Sequence, residues 1–375
     1  MRIGIEAQRI FRKKKHGMDF VALEAIREIQ KIDKSNEYFV FVAPGEDRCL
    51  EETQNMNIIE ISSFGGYFGW EQYALAKALR RIKLDILHCT SNTAPLFCNT
   101  KLVLTLHDII FLEKLASKNK SLYQKLGRIY RRIIVPKIIP KASKIITVSN
   151  FERDRIKEFL NIDNDRIISI YNGYSNHFQI KTNPKEVYSK YINTDNFLFF
   201  LGNTDPKKNT ERTLLAYEKY ISKKGERKEK ISKLLIADLK EKIIDDILQR
   251  NNIQYIKEYL VCPDYIPNTD LPYIYSGAKA FLYTSLRESF GIPILESMAC
   301  GCPIITSNTS AIPEVAGSGA ILIDPYNIEE IANMIEKVIE DNEFRERTIS
   351  YGIERVKLFS WENTAKELIK LYNSL

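Results

Sequence analysis

The chain has 375 residues, 44% of them hydrophobic and 27% charged, which is a soluble globular composition too long for one ordinary core, so two domains are expected. It contains no apolar run of about eighteen residues, and no apolar stretch follows the charges of MRIGIEAQR, so no spanning helix or secretory leader is read and a cytoplasmic location is expected. The net charge of +7 is uneven, with 29 basic against 20 acidic residues over 1–180 and 26 against 28 over 181–375; a basic first half suggests an anionic partner, either nucleic acid or lipid headgroups.

In chain order, short apolar runs rich in β-branched residues recur as MRIGIEA, YFVFVAP, NIIEIS, LDILHCT, LVLTLHD, KIITVSN and RIISIYNG, with helix-length stretches at 18–32, 70–82 and 121–135. Apolar runs alternating with helices predict a parallel sheet buried on both faces. After a Lys/Asn/Pro-rich stretch at 180–195 the pattern restarts with FLFFLGN, KLLIAD, IQYIKEYL, AFLYTS, PIITSN and AILIDP. The prediction is an α/β protein of two Rossmann-like, doubly wound parallel-sheet domains facing across a cleft. Their boundaries are read as 1–178 for an acceptor domain and 179–358 for a donor domain, with 359–375 as a helix returning to the first. Cys49, Cys89, Cys98, Cys262, Cys300 and Cys302 show no C-x-x-C spacing and read as reduced packing residues.

Between Lys114 and Phe151 there are ten Lys or Arg and no Asp or Glu. Leu122, Leu126, Ile129 and Ile133 form a helical stripe there, with Lys125, Arg128, Arg131 and Arg132 on the opposite face and Pro136 and Pro140 as stops. The stripe is expected to pack on its own sheet. The basic face of 114–144 offers peripheral contact with an anionic membrane, on the inner face of the plasma membrane. FGGYFGW, residues 64–70, reads as an acceptor loop or a plain connector.

Ligands of open parallel sheets bind beyond the carboxyl ends of the strands, which directs attention to SLRESFGIPILESMACGCP after AFLYTS. Pro293 suits the first helical position and Gly301 the left-handed position after the helix. The backbone N–H groups of Phe290, Gly291 and Ile292 then form a seat for phosphate. Carboxylates beside phosphate are better used on neutral hydroxyls, so Glu288 and Glu296 are read as acceptors for a hexose and a ribose on either side of a diphosphate. Lys207 and Lys208, in FLGNTDPKKN, sit at a strand-to-helix junction where cations offset diphosphate charge. LVLTLHD ends with His107 and Asp108 facing the same cleft. The D-x-D at Asp163–Asp165 precedes RIISI at its amino end and reads as a loop rather than a cation site.

The stretch from LPYIYSGAKAFLYTS to AILIDP resembles the donor-binding signature of retaining, GT-B-fold glycosyltransferases of the family-4 type. LTLHDIIFLE, ASKIITVSNFERDRI, IYNGYSNHF, FLGNTDPKKNTERTLLAY and FSWENTAKELIKLY extend that resemblance over nearly the whole chain, closest to mannosyltransferases of bacterial O-antigens and capsules. It implies that Glu288 contacts the transferred sugar and Glu296 the ribose, with Ser289, Phe290, Gly291 and Ile292 at the donor. Lys207 and Lys208 are implied at the diphosphate, as is Asn203, which stands where the family commonly has a basic residue. Gly17 resembles a glycine that admits the donor to the backbone, and the resemblance implies that His107 lies near the sugar hydroxyls, with Asp108 beside it in sequence.

The resemblance further implies hexose transfer with retention to a glycan or lipid-linked glycan acceptor in surface polysaccharide biosynthesis. GDP-mannose is favoured over UDP-sugars, and no metal is implied. Two other readings stay open: a sugar-nucleotide epimerase on the same fold, and a nucleic-acid binder using the basic half. The basic stretch lacks the interleaved aromatics of a single-strand platform, so no nucleic-acid partner is expected. No G-x-G-x-x-G follows the first strand, against a nicotinamide dehydrogenase.

Overall fold

The computed structural model describes residues 1–113 and 122–375, with the side chains of 122–124 also outside the description. The chain forms two units: Met1–Gly173 together with Trp361–Leu375, and Tyr174–Ser360.

Among the described residues the first unit carries seven strands: β1 (Arg2–Glu6), β2 (Glu37–Val42), β3 (Met56–Glu60), β4 (Ile86–Cys89), β5 (Lys101–Thr105), β6 (Ala142–Thr147) and β7 (Ile167–Ser169). All pair in parallel, in the order β3-β2-β1-β4-β5-β6-β7. Each of the seven apolar runs supplies one strand, because a parallel sheet covered on both faces needs apolar side chains in both directions. The helix Gly17–Ile32 is capped at His16, whose backbone N–H donates to Asp19 Oδ2 at 2.9 Å, and it buries Ala22, Leu23, Ala25, Ile26 and Ile29 at helical spacing. Against it packs the helix Trp361–Asn373, burying Ala365, Leu368 and Tyr372 in the same core.

The second unit carries β8 (Phe197–Leu201), β9 (Lys233–Ala237), β10 (Leu260–Val261), β11 (Phe281–Tyr283), β12 (Ile304–Ser307) and β13 (Ile321–Ile323), again all parallel, in the order β10-β9-β8-β11-β12-β13. Both sheets therefore reverse their winding beside the first strand: between β1 and β4 in one, and between β8 and β11 in the other. Such a switch point opens a crevice at the carboxyl ends of the two strands.

Four local expectations change. IQYIKEYL is mostly a 3-10 helix, Gln254–Tyr259, leaving only Leu260–Val261 as strand. The buried residues Ile253, Ile256 and Leu260 recur every three to four positions, a helical period and not an alternating one. FGGYFGW is neither open loop nor connector: Gly66–Gly69 is helical and runs into a π-helical turn, Trp70–Leu75, pinned by Trp70 Nε1 donating to Ile61 O at 2.8 Å. The helix Leu122–Ile138 continues through Pro136, which is exposed, to end two residues later.

The fourth change is the facing of that helix. Its buried side is Ile134, Val135 and Ile138, whereas Leu126, Ile129 and Ile133 are 63%, 54% and 51% exposed. Arg128, expected outside, bonds through Nε to Phe111 O at 3.2 Å, and Arg131 lies over the Phe111 ring at 5.6 Å. The predicted packing of the stripe on its own sheet is thus reversed. Residues 114–121 of the basic stretch, and the side chain of Leu122, lie outside the described residues.

Candidate active site

In the second unit the site grows from the switch point. β8 ends at Leu201, and the turn Pro206–Lys208 leads through Asn209 into the helix Thr210–Glu226. Asn209 takes the left-handed conformation, φ 60°, which asparagine tolerates better than most residues. Its buried amide donates to Thr284 O at 3.1 Å and Pro325 O at 2.8 Å, tying the loop after β8 to those after β11 and β13. Thr213 Oγ1 and Thr284 Oγ1 add a buried hydroxyl pair at 2.5 Å. Lys208 is thereby held facing β11.

Lys208 Nζ lies 2.5 Å from Glu288 Oε1 and over the Tyr283 ring at 5.3 Å. Glu288 is itself fixed by its backbone N–H donating to Ser310 Oγ at 3.0 Å. Lys207 holds the same junction through its backbone, its carbonyl accepting from Leu286 N at 2.6 Å. Asn203 is exposed and turned into its own loop, its Oδ1 accepting from Asp205 N at 2.8 Å. The cation and the hexose-side carboxylate expected from sequence are thus direct partners across the crevice.

Beyond Ser289 and buried Phe290, Gly291 caps the helix Ile292–Ala299 at φ 102°, and a Cβ there would lie 2.9 Å from Ile294 Cδ1. No side chain caps this helix, and its Ile294 N–H turns back to Gly291 O at 3.0 Å. Ile292 takes the first helical position and Pro293 the second, one later than predicted, still where a missing N–H costs nothing. Gly301 does adopt the left-handed conformation, φ 67°. Glu296, one turn inside, is part-exposed at its edge yet enclosed enough that desolvation alone lifts its pKa to about 8.

In the first unit, His107 is buried beyond the end of β5. Its backbone N–H donates to Asn92 Oδ1 at 2.7 Å, and its Nε2–H donates to Thr90 O at 2.9 Å, which leaves Nδ1 as an acceptor. Burial lowers its pKa, so the ring is neutral. Asp108 accepts from Ile110 N at 3.0 Å and forms the following turn. Gly17 opens its helix with nothing within 4 Å of a would-be Cβ. Asp163–Asp165 lies in the turn before β7, at that strand's amino end.

Sequence reasoning missed the polar cluster at this unit's own switch point. Glu6, at the end of β1, is buried and accepts from Gln8 N at 3.0 Å and Thr90 N at 3.3 Å, and burial raises its pKa to about 7. Glu71, likewise pushed up by burial, takes hydroxyl hydrogens from Thr93 and Tyr130. Arg9 Nε faces Asp19 Oδ1 at 2.8 Å. These residues lie far apart in sequence and obey no short motif; only the strand order unites them.

Two open parallel sheets of this kind define the GT-B architecture. Sucrose-phosphate synthase from Thermosynechococcus elongatus matches over 100% of this chain and 98% of its own, with TM-score 0.76 at 17% identity. Anabaena HepE in complex with UDP and glucose matches over 100% of both chains, with TM-score 0.73 at 18% identity. At the level of sequence, residues 185–355 match the glycosyl transferases group 1 family and residues 17–176 match glycosyltransferase family 4. The chain belongs to the GT-B glycosyltransferases of the family-4 type.

Among its curated relatives is O-antigen chain mannosyltransferase B of Escherichia coli, 31% identical over 244 residues, 63% of this chain and 62% of that protein. A serotype-specific mannosyltransferase, WbdA, of the same organism is 26% identical over 240 residues, 63% of this chain but 29% of its own length. The matches span less than two thirds of either relative. The O-antigen chain mannosyltransferase RfbU of Salmonella typhimurium is 24% identical over 72% of both chains.

Proposed function

We propose that the chain transfers a hexose from a nucleotide sugar to a glycan or lipid-linked glycan acceptor with retention of anomeric configuration, and that the donor is GDP-mannose. The observation that carries this reading is the Lys208–Glu288 pair at 2.5 Å, set at the β8/β11 switch point beside an uncapped helix start. A diphosphate seated on the amides of Phe290, Gly291 and Ile292 would draw Lys208 away from Glu288, leaving that carboxylate to accept from hexose hydroxyls. Glu296 would accept from the ribose diol. The names of the Escherichia coli and Salmonella relatives favour mannose and O-antigen synthesis.

In this mechanism the bond from the anomeric carbon to the diphosphate breaks while the acceptor oxygen bonds the same face. The acceptor's proton passes to an oxygen of the departing diphosphate. Helix amides and Lys208 stabilise the negative charge that develops there, and preorganised donors of this kind serve the leaving group without a metal.

The test is thermal shift of the full chain with GDP, UDP, ADP and their sugar conjugates, with and without EDTA, for wild type and Glu296→Ala, since a ligand of the folded state raises its melting temperature. A chelator-insensitive shift with GDP-mannose, lost in Glu296→Ala, is expected. Product anomeric configuration is then read by NMR. Conversion of the donor to another nucleotide sugar without acceptor would point to an epimerase instead, and a shift with nucleic acid alone would overturn the reading.

A further inference from the structure

The second unit has a cleft of about 620 Å³ at the edge of its sheet that faces away from the donor loops. Its lining comes from residues that precede strands, Asn196 before β8, Lys230 before β9 and Lys279 before β11, with residues of the segment 185–195 and the start of the helix Asn342–Val356. Since the strands are parallel, all of these lie at the amino edge. The five residues of β8 put roughly 16 Å between that edge and the carboxyl ends that carry Lys208 and Glu288.

The charge of the cleft differs from that of its surroundings. Residues 181–375 as a whole carry 26 basic against 28 acidic side chains, yet four separate stretches bring Lys185, Lys230, Lys279 and Arg345 to this one cavity. Lys185 pairs with Asp195 Oδ1 at 3.0 Å, and the same oxygen accepts from Tyr188 OH at 2.8 Å. Among the described residues Lys230, Lys279 and Arg345 form no ion pair. Asp341, just before the helix, commits its carboxylate to Phe344 N at 2.8 Å.

A guanidinium and two ammonium groups without carboxylates, around one concavity, match the charge and the acceptor oxygens of a phosphate. Exposed Ser189 and Asn193 on the rim can serve neutral hydroxyls, and buried Tyr188 and Ile192 back the cavity. A bounded cleft of this size suits a small molecule, whereas a nucleic acid calls for an extended basic stripe.

We propose that this cleft binds a phosphate group through Lys230, Lys279 and Arg345, either as the free anion or as a monoester of a small hydroxylated molecule. Standing a strand's length from the crevice with Lys208 and Glu288, it takes its ligand without displacing a nucleotide. The inference does not depend on the sugar-transfer reading, since it concerns binding at the other edge of the sheet.

The experiment is calorimetric titration of the full chain with mannose 6-phosphate, inorganic phosphate, sulfate and mannose, each with and without saturating GDP. Binding of a phosphate ligand that weakens as salt rises, with mannose silent and GDP without effect, is expected. Lys279→Gln/Arg345→Gln should lower that affinity about tenfold or more, with melting temperature and GDP binding unchanged, while Lys208→Met leaves it intact. Tighter binding of mannose 6-phosphate than of inorganic phosphate assigns the cleft to an ester, and equal affinity assigns it to the free anion. The proposal is overturned if neither phosphate ligand binds, if sulfate binds as tightly as both, if Lys279→Gln/Arg345→Gln changes nothing, or if GDP or Lys208→Met abolishes the binding. Failure of GDP itself to bind counts against the sugar-transfer reading alone.

Discussion

Lys208 and Glu288 neutralise one another at 2.5 Å, with side chains 24% and 12% exposed. Each therefore lowers the other's availability to a ligand. Glu288→Gln should release Lys208 and remove a repelling charge, so a nucleoside diphosphate without sugar should bind several-fold more tightly while transfer falls; calorimetry beside an activity assay separates the two. Lys208→Met should lower turnover about a hundredfold, the order seen when a preorganised donor to developing charge is removed.

Glu296 adds a pH dependence whose sign follows from its raised pKa. A carboxyl at about 8 in the folded chain, against the ordinary 4.5, favours folding while protonated. That contribution is complete below the ordinary value and is lost as pH rises through 8. Glu296→Gln should flatten this loss in melting curves taken between those limits. Hydroxyl donors stabilise the charged form, so donor binding should release a proton near neutral pH, measurable as buffer-dependent binding heat in wild type and absent from the glutamine variant. Asn209→Ala leaves two carbonyls without their buried donor and forces alanine to φ 60°; denaturant unfolding should show a loss of about 2–3 kcal/mol.

Among elements, the turn into the helix Ile292–Ala299 is the most constrained. Gly291→Ala places a side chain at φ 102° and a Cβ against Ile294, and should cost about 1–3 kcal/mol of strain together with nucleotide binding, by urea titration and thermal shift. This turn was legible because Gly-Ile-Pro punctuates strand, loop and helix in a fixed order. The Leu122–Ile138 helix was legible as a helix but not in its facing, since Leu126, Ile129 and Ile133 recur at steps of three and four and Tyr130, Ile134 and Ile138 at steps of four, both of them helical. Periodicity reports that a stripe exists. Which of two stripes faces the sheet depends on what lies opposite, here Phe111 and the Glu71 cluster.

For the whole molecule, the two parallel sheets were readable from runs apolar in both directions, and their carboxyl ends located the donor loops. The polar cluster of Glu6, Glu71 and Tyr130 was not, because residues separated by tens of positions meet only once strand order is known. The helix Trp361–Asn373 fills the core of a unit whose other segment is Met1–Gly173. Leu368→Asp should consequently remove hydrogen-exchange protection from Met1–Gly173 while leaving that of Tyr174–Ser360, read by mass spectrometry.

That same discontinuity imposes an order on biosynthesis. Domains fold as units while the ribosome proceeds, and all of Tyr174–Ser360 leaves the exit tunnel before Trp361–Leu375 does. The inserted unit can close while its host still shows the bare face of Ala22, Ile26 and Ile29 to chaperones. Met1–Gly173, made before Tyr174–Ser360, therefore matures after it.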